Sequence, residues 1–354
     1  MAYTPSYSIT NPILKNVGII DAAREVISSA PLVPAWERTF QSEARAKIIH
    51  HGTHLEGNDL NLEEVEEILA PTTSTPVARD RDVQEVINYR AVMDYLDSLA
   101  PNTTPTITLS PSILTEIHRL TVDKILPPSE AGQFRSVKVV IRNTVTGEIS
   151  FRPPAPTAVF ELIDDLFSWL AHEGTAVHPL LRAGILHYEL VKIHPFTDGN
   201  GRTARAMALL LLYLEGYQVK KFFALEEYYD THPEEYYSAL QAVAPTGDLT
   251  PWLEYFTEGI AIEFNRVKNL VQKLSLDLRL KHSLGGSQIT LSDRQIKLVQ
   301  YLEKHAGLGM SEARDLLPMV SEDTILRDLR DLVEKKLLTR HGNTKGAKYY
   351  LSNN

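Results

Sequence analysis

The sequence contains no cysteine. That excludes disulfides, thiolate metal sites and a cysteine nucleophile. It also has no long hydrophobic run. The longest is Ala206–Leu214, far short of the roughly 20 residues a membrane span needs. The opening stretch MAYTPSYSITNPILKN lacks both a basic region and an apolar one, so it does not read as a signal peptide. Basic residues are in deficit, with a net charge of −9, which speaks against the whole chain coating nucleic acid. The expectation is a soluble, cytoplasmic protein with no membrane partner. What is present is ordinary globular composition, 43% hydrophobic and 23% charged over 354 residues, enough for two or three domains with a sizeable core.

Helical periodicity dominates, with no internal repeat and no low-complexity tract. Asn61 and Glu64 form a capping box, flanked by Leu60 and Val65 as a hydrophobic staple, and predict a helix over Glu63–Ala70. Pro71–Ala78 (PTTSTPVA) reads as a loop. Further helices are predicted from about Arg79 to Leu99 and from near Ser112 to a point before Pro127–Pro128. Others follow over Ala158–Glu173, Pro179–Ile193, Gly201–Glu215, Pro233–Val243 and about Pro251–Leu280. Ser136–Phe151 departs from this pattern. It is rich in β-branched residues around Thr146–Gly147 and reads as a β-hairpin. Lys281–Gln288, with Gly285–Gly286, reads as a linker. The expected organisation is therefore a helical region over 1–110, a main domain over 111–280, a linker over 281–288 and a C-terminal domain over 289–354. The fold class is mainly α.

The chemistry concentrates in His194–Arg205, HPFTDGNGRTAR, between two apolar helical segments. Gly199, Asn200 and Gly201 fall where the second helix begins. Their backbone N–H groups and the positive end of the helix dipole make an anion cradle. Arg202 and Arg205 lie one turn apart, so both guanidinium groups can reach the same anion. Asp198 places a carboxylate beside that cradle, suited to Mg²⁺. His194 is the nearby group able to take a proton at neutral pH. Singly, each of these is commonly structural. Together, within twelve residues, they point to phosphate or nucleotide handling.

This segment matches the signature HPFxDGNGRxxR of the Fic (filamentation induced by cAMP) family at every specified position. His187–Ile193 (HYELVKI) resembles the family's lead-in helix, and Gly132-Gln133-Phe134-Arg135 resembles the segment before its flap. The hairpin at 136–151 sits where the family places its target-binding flap. The resemblance covers about residues 1–280 and implies an all-helical core with a hairpin flap. It also implies an adenylyltransferase that moves AMP from ATP, with Mg²⁺, onto a Ser, Thr or Tyr hydroxyl of a target protein or of itself. The related Doc toxins, which phosphorylate their targets, carry a diverged signature. In the implied scheme His194 is the catalytic base and Asp198 the metal residue. Gly199, Asn200, Gly201, Arg202, Thr203, Ala204 and Arg205 hold the phosphates. Tyr236 and Tyr237 resemble a tyrosine pair beside the nucleotide, while Ala244 stands where some relatives have an adenine-contacting asparagine. Phe196 reads as packing that fixes the loop.

Leu55-Glu56-Gly57-Asn58 resembles the family's inhibitory motif, [S/T]xxxE[G/N], whose glutamate pairs with the second signature arginine, here Arg205. The sequence departs from it at Gly52, where the family has Ser or Thr. The same site run in reverse, with Glu56 positioning water to remove AMP, is an alternative reading. A nucleotide-sensing DNA-binding regulator is another, although a sensor would not need His194.

The last segment, 289–354, differs in charge. From Lys335 onward it holds five basic residues and no acidic one. Ser292 and Ser321 can cap helices whose apolar positions are Ile296, Val299, Leu302 and Ile325, Leu326, Leu329, Leu332. A further helix is expected near Ser311–Leu317. Leu337–Leu351 reads as two strands around Gly342 and Gly346. This resembles a winged helix. Its third helix is expected to expose Thr324, Arg327 and Arg330, but also Glu322, Asp323, Asp328 and Asp331, and its wing carries Arg340, Lys345 and Lys348. DNA binding, protein docking and homodimerisation all remain open for it.

Overall fold

The computed structural model describes residues 3–30, 32, 34–70, 79–100, 107–142, 149–283, 291–305, 307–342 and 347–352. The expected loop at 71–78, the turn at 146–147 and the glycines at 285, 286 and 346 lie outside them. The chain divides into two compact units. One comprises Met1–Ser28 with Glu37–Val267, the other Ser29–Trp36 with Lys268–Asn354. No helix among the described residues is long and apolar enough to cross a membrane.

The first unit is helical. It contains α1 (Asn11–Ser29), α2 (Pro34–His54), α3 (Leu62–Leu69), α4 (Asp80–Leu99), α5 (Pro111–Thr121), α6 (Pro156–Ala171), α7 (Pro179–Ile193), α8 (Asn200–Leu214), α9 (Leu225–Thr231), α10 (Pro233–Ala242) and most of α11 (Thr250–Ser283). The first two of these and α9 are not anticipated from the sequence. For α1 the signal was there: Ile13, Asn16, Ile20, Ala23 and Ile27 are buried at helical spacing. α3 begins as its capping box requires. Asn61 accepts from the Glu64 N–H at 3.0 Å and its own N–H donates to Glu64 Oε2 at 2.9 Å.

α7 and α8 pack along each other at the centre. All of α8 but Gly201 and Leu214 is buried, which explains why it carries the longest apolar run. α11 packs on α7, where Trp252 and Phe256 meet His187; with Ile260 and Phe264 they form a fully buried stripe four residues apart, and the Trp252 indole donates to the Gly184 carbonyl at 2.8 Å.

The hairpin is shorter than expected. β1 (Ile141–Arg142) pairs antiparallel with β2 (Ile149–Phe151), while residues 136–140 form no strand. The Arg135 guanidinium accounts for part of this, because it ties down the Val137 carbonyl at 3.1 Å within that stretch; it also takes the Pro154 carbonyl at 2.7 Å, beyond the hairpin. α11 also runs three residues into the expected linker, to Ser283.

In the second unit α12 (Asp293–Lys304), α13 (Met310–Leu316) and α14 (Glu322–Glu334) precede an antiparallel pair, β3 (Leu338–His341) and β4 (Lys348–Leu351). Ile296, Val299, Leu302, Ile325, Leu329, Leu332 and Tyr349 share one core. This is the winged-helix arrangement. One expectation is corrected: Asp328 is not exposed. It is 7% exposed and paired with Arg294 at 2.7 Å.

Gly52, the departure from the inhibitory motif, has a packing reason. It is buried near the end of α2 against the ring of Tyr89 on α4. A Cβ there would lie 2.5 Å from Tyr89 Cε1, so the large neighbour has taken the room a side chain would use. Gly52→Ser is expected to cost about 1–3 kcal/mol by overpacking. Combined with Tyr89→Leu, the total loss should be smaller than the sum of the two single losses. Thermal melts of the three variants check this, and an unchanged Tm for Gly52→Ser would refute the packing.

Candidate functional site

The loop between α7 and α8 is shaped by two left-handed residues. His194 ends α7 at φ 51°, and Gly199 starts α8 at φ 73°. The second suits glycine; the first is a strained position for histidine and is held by its surroundings. Asn200 clamps the loop. Its side chain accepts from the Phe196 N–H at 2.9 Å and donates to the Phe196 carbonyl at 3.0 Å. Phe196 is fully buried and stacks on His118, with ring centroids 3.7 Å apart. His118 in turn meets the Asp198 carbonyl at 3.0 Å and accepts from the Gly132 N–H at 2.9 Å. Burial pushes its pKa down to about 4, so it is a neutral brace. Arg135, also buried, donates to the His194 carbonyl at 2.7 Å and to the Ile193 carbonyl at 3.3 Å.

His194 therefore has a fixed backbone, and its ring is oriented too. Nδ1 lies 3.2 Å from the Val191 carbonyl. A carbonyl only accepts, so this contact assigns the proton to Nδ1 and leaves Nε2 as the basic nitrogen. Burial is the main cause holding its pKa below the usual 6.5, so the ring is neutral at pH 7. His194 lines a cavity of about 390 Å³ together with Glu56, Gly201, Tyr236, Tyr237 and Ala244. Ile141 and Phe151 of the hairpin also line it.

Arg205, Arg202 and Asp198 each have a partner of opposite charge. Arg205 is 2% exposed. Its guanidinium meets Glu56 Oε1 at 2.9 Å and donates to the Gly52 carbonyl at 2.8 Å. Burial works against its charge and is the largest single influence, but Glu56, Tyr236 and Tyr89 together outweigh it and raise its pKa. Glu56 sits in the turn after α2, tight against the start of α8. A Cβ on Gly201 would fall 2.1 Å from Glu56 Oε1, so a glycine is needed for this approach. Arg202, equally buried, lies 3.2 Å from Glu85 Oε1 and 3.7 Å from Asp198 Oδ1. The two arginines expected to converge on one anion are thus held by different carboxylates. Asp198 accepts from the Gly199 N–H at 2.6 Å and from Arg81 at 2.8 Å. Burial raises its pKa, but Arg202, the Gly199 amide and Arg81 together lower it overall.

The remaining sequence-predicted residues divide. Tyr236 is buried and hydrogen-bonded to His187 at 3.0 Å. Burial pushes its pKa up to about 12. Tyr237 is 43% exposed and reaches the Leu55 carbonyl at 3.4 Å. Thr203 and Ala204 are buried within α8 and do not line the cavity. Arg81, Glu85, His118 and Arg135 were missed as site residues. Only Arg135 had a signal, as the last residue of GQFR.

Comparison with known proteins agrees with this geometry. The Fic/DOC family matches residues 108–212, and the DeoR-like helix-turn-helix domain matches residues 294–348. "Protein adenylyltransferase Fic" of Culex quinquefasciatus is 30% identical over 243 residues, 68% of this chain and 45% of that protein. "Protein adenylyltransferase fic-1" of Caenorhabditis elegans is 33% identical over 272 residues, 76% of this chain and 50% of that protein. The chain thus spans about half the length of the curated relatives it matches. A Fic family protein from Desulfovibrio desulfuricans has the same fold, with a TM-score of 0.64 at 23% identity over 99% of both chains. With the whole signature standing at the junction of α7 and α8, inside the matched domain, the chain belongs to the Fic/DOC family.

Proposed function

We propose that this protein transfers AMP from ATP to a Ser, Thr or Tyr hydroxyl of a target protein, itself included, and that Glu56 restrains the reaction. One observation carries the reading. His194 is neutral, with its proton assigned to Nδ1, and lines the same cavity as the start of α8 and the Glu56 that grips Arg205.

The target hydroxyl gives its proton to His194 Nε2 as its oxygen attacks the α-phosphorus. A new P–O bond forms, the bond to the β-phosphate breaks, and pyrophosphate leaves. The N–H groups at the start of α8 meet the developing negative charge. Asp198 is ionised and partly exposed, so it fits a hard cation once Arg81, whose side chain is 58% exposed, swings aside. Mg²⁺ held there would neutralise phosphate charge. Arg205 would hold the terminal phosphate, and the tyrosine pair would flank the base. The hairpin edge would align the target segment by strand addition.

Glu56 opposes this. Its carboxylate occupies the guanidinium fork that a γ-phosphate needs and puts a second anion next to it. ATP then binds without its α-phosphate turned toward His194.

The C-terminal unit supports DNA contact as a second property. Arg327 and Arg330 are exposed on α14. Of the four acids expected to repel phosphate, Asp328 is buried on Arg294, Asp331 pairs with Lys335, and Glu322 pairs with Arg314 at 2.7 Å, while Asp323 is exposed. Titration against duplex DNA should show affinity falling steeply with added salt; a salt-insensitive interaction, or none, would contradict this.

His194→Ala should abolish AMP transfer while ATP still binds. Labelled ATP with intact-mass measurement reads the first, and calorimetry the second. Substantial labelling by the variant would overturn the assignment. The base must be unprotonated, and burial lowers its pKa. The wild-type rate should therefore fall on acidification with a midpoint below pH 6.5. A fall centred above the usual histidine value of 6.5 would contradict the buried, neutral ring.

A further inference from the structure

Three histidines crowd the last turns of α2: His50, His51 and His54. All face Asp230 at the end of α9 or one another. His51 Nδ1 lies 2.8 Å from Asp230 Oδ2. His54 Nδ1 lies 2.8 Å and 2.9 Å from the two carboxylate oxygens. The ring of His50 stands 4.6 Å from that of His51 and 5.4 Å from that of His54. Its Nδ1 is buried and has no hydrogen-bond partner. None of these residues belongs to the signature, and none lines the cavity at His194.

We propose that His50, His51 and Asp230, with His54 beside them, form a binding site for a divalent transition-metal ion of the zinc class. One donor atom from each of the three lies within 4.8 Å of the other two. Zinc bonds of about 2.0 Å at tetrahedral angles place neighbouring donors about 3.3 Å apart. Small side-chain rotations bridge that difference. A set of imidazoles with one carboxylate selects zinc-like ions over Mg²⁺ or Ca²⁺, which prefer all-oxygen shells. With no cysteine in the chain, no thiolate competes for such an ion.

The site would fasten the end of α2 to α9. Glu56 lies two residues past His54, and Tyr237 already holds the intervening Leu55 carbonyl. An ion here would hold the Glu56 turn against Arg205 and slow AMP transfer. This consequence rests on the inhibitory reading of Glu56, whereas the site itself does not.

The test is calorimetric titration of tag-free full-length protein with Zn²⁺, alongside His51→Gln and Asp230→Asn. The wild type should take up one equivalent saturably and gain in Tm, since binding to the native state alone stabilises it. Each variant should bind at least ~10-fold more weakly, the loss that even outer-shell changes cause. No saturable uptake, or equal uptake by both variants, would overturn the site and leave a His–Asp hydrogen-bond network. Should a variant fail to fold, the visible absorption of Co²⁺ bound to the wild type gives the same answer, because a tetrahedral nitrogen–oxygen shell absorbs much more strongly, and at longer wavelength, than the octahedral aqueous ion. For the consequence, Zn²⁺ should slow transfer by the wild type but not by Glu56→Gly. Equal slowing of both, or of neither, overturns the clamp while the site stands. Absence of transfer by Glu56→Gly without metal would instead count against the proposed function.

Discussion

The guanidinium of Arg205 is buried on α8, a helix with all but two residues buried, and a buried cation demands partners. Much of the N-terminal region answers that demand. Glu56 supplies the carboxylate, the Gly52 carbonyl supplies a second acceptor, and Tyr89 closes the space over Gly52. The neighbouring charges follow the same arrangement. α4 offers Glu85 to Arg202 and Arg81 to Asp198. Each group that would meet a nucleotide's phosphates or its metal is thus matched by a group of opposite charge from residues 56–85. A cradle built this way is stable without its ligand, and the ligand must displace a partner to enter productively.

The division between fixed and exchangeable contacts is physical. His194 is held by contacts that no nucleotide would disturb: Val191 on its ring, Arg135 on its carbonyl, and the Phe196–His118 stack beneath the loop. Arg81 and Glu56 have partly exposed side chains, 58% and 31%, and can leave. On the proposed reading, the geometry at His194 is preorganised, while access to the place of the phosphates is gated.

The site was legible in the sequence where its residues are contiguous. HPFTDGNGRTAR specifies the base, the left-handed glycine and the helix start within twelve positions. Glu56 was legible from its Gly-Asn neighbours despite Gly52. Arg81, Glu85 and His118 were not. They reach the loop from α4 and α5, more than 75 residues away in sequence, and an arginine or glutamate on an amphipathic helix gives no sign of which remote charge it will meet. The fold shows the same split. Capping at Asn61, Ser292 and Ser321 and the stripe on α14 were readable because helix signals are local. α2 was not, because its buried face is mostly small, with Ala44, Ala46, Gly52 and Thr53 around Ile48 and Ile49, and so carries little apolar periodicity. The hairpin was overextended because β-branched composition cannot reveal that Arg135 will claim the Val137 carbonyl. Asp328 looked exposed because only the fold brings Arg294 to it.

The central claim is that the Glu56–Arg205 contact restrains an otherwise assembled adenylyltransferase. The most direct measurement compares initial rates of self-modification by the wild type and Glu56→Gly at matched, saturating ATP and Mg²⁺. The restraint acts on the pose of ATP more than on its occupancy. The variant should therefore form product faster by at least ~10-fold, since a block worth 1.4 kcal/mol is already that large, with ATP affinity changing less. Equal rates in a folded Glu56→Gly protein would contradict the account and make Glu56 an ordinary structural carboxylate.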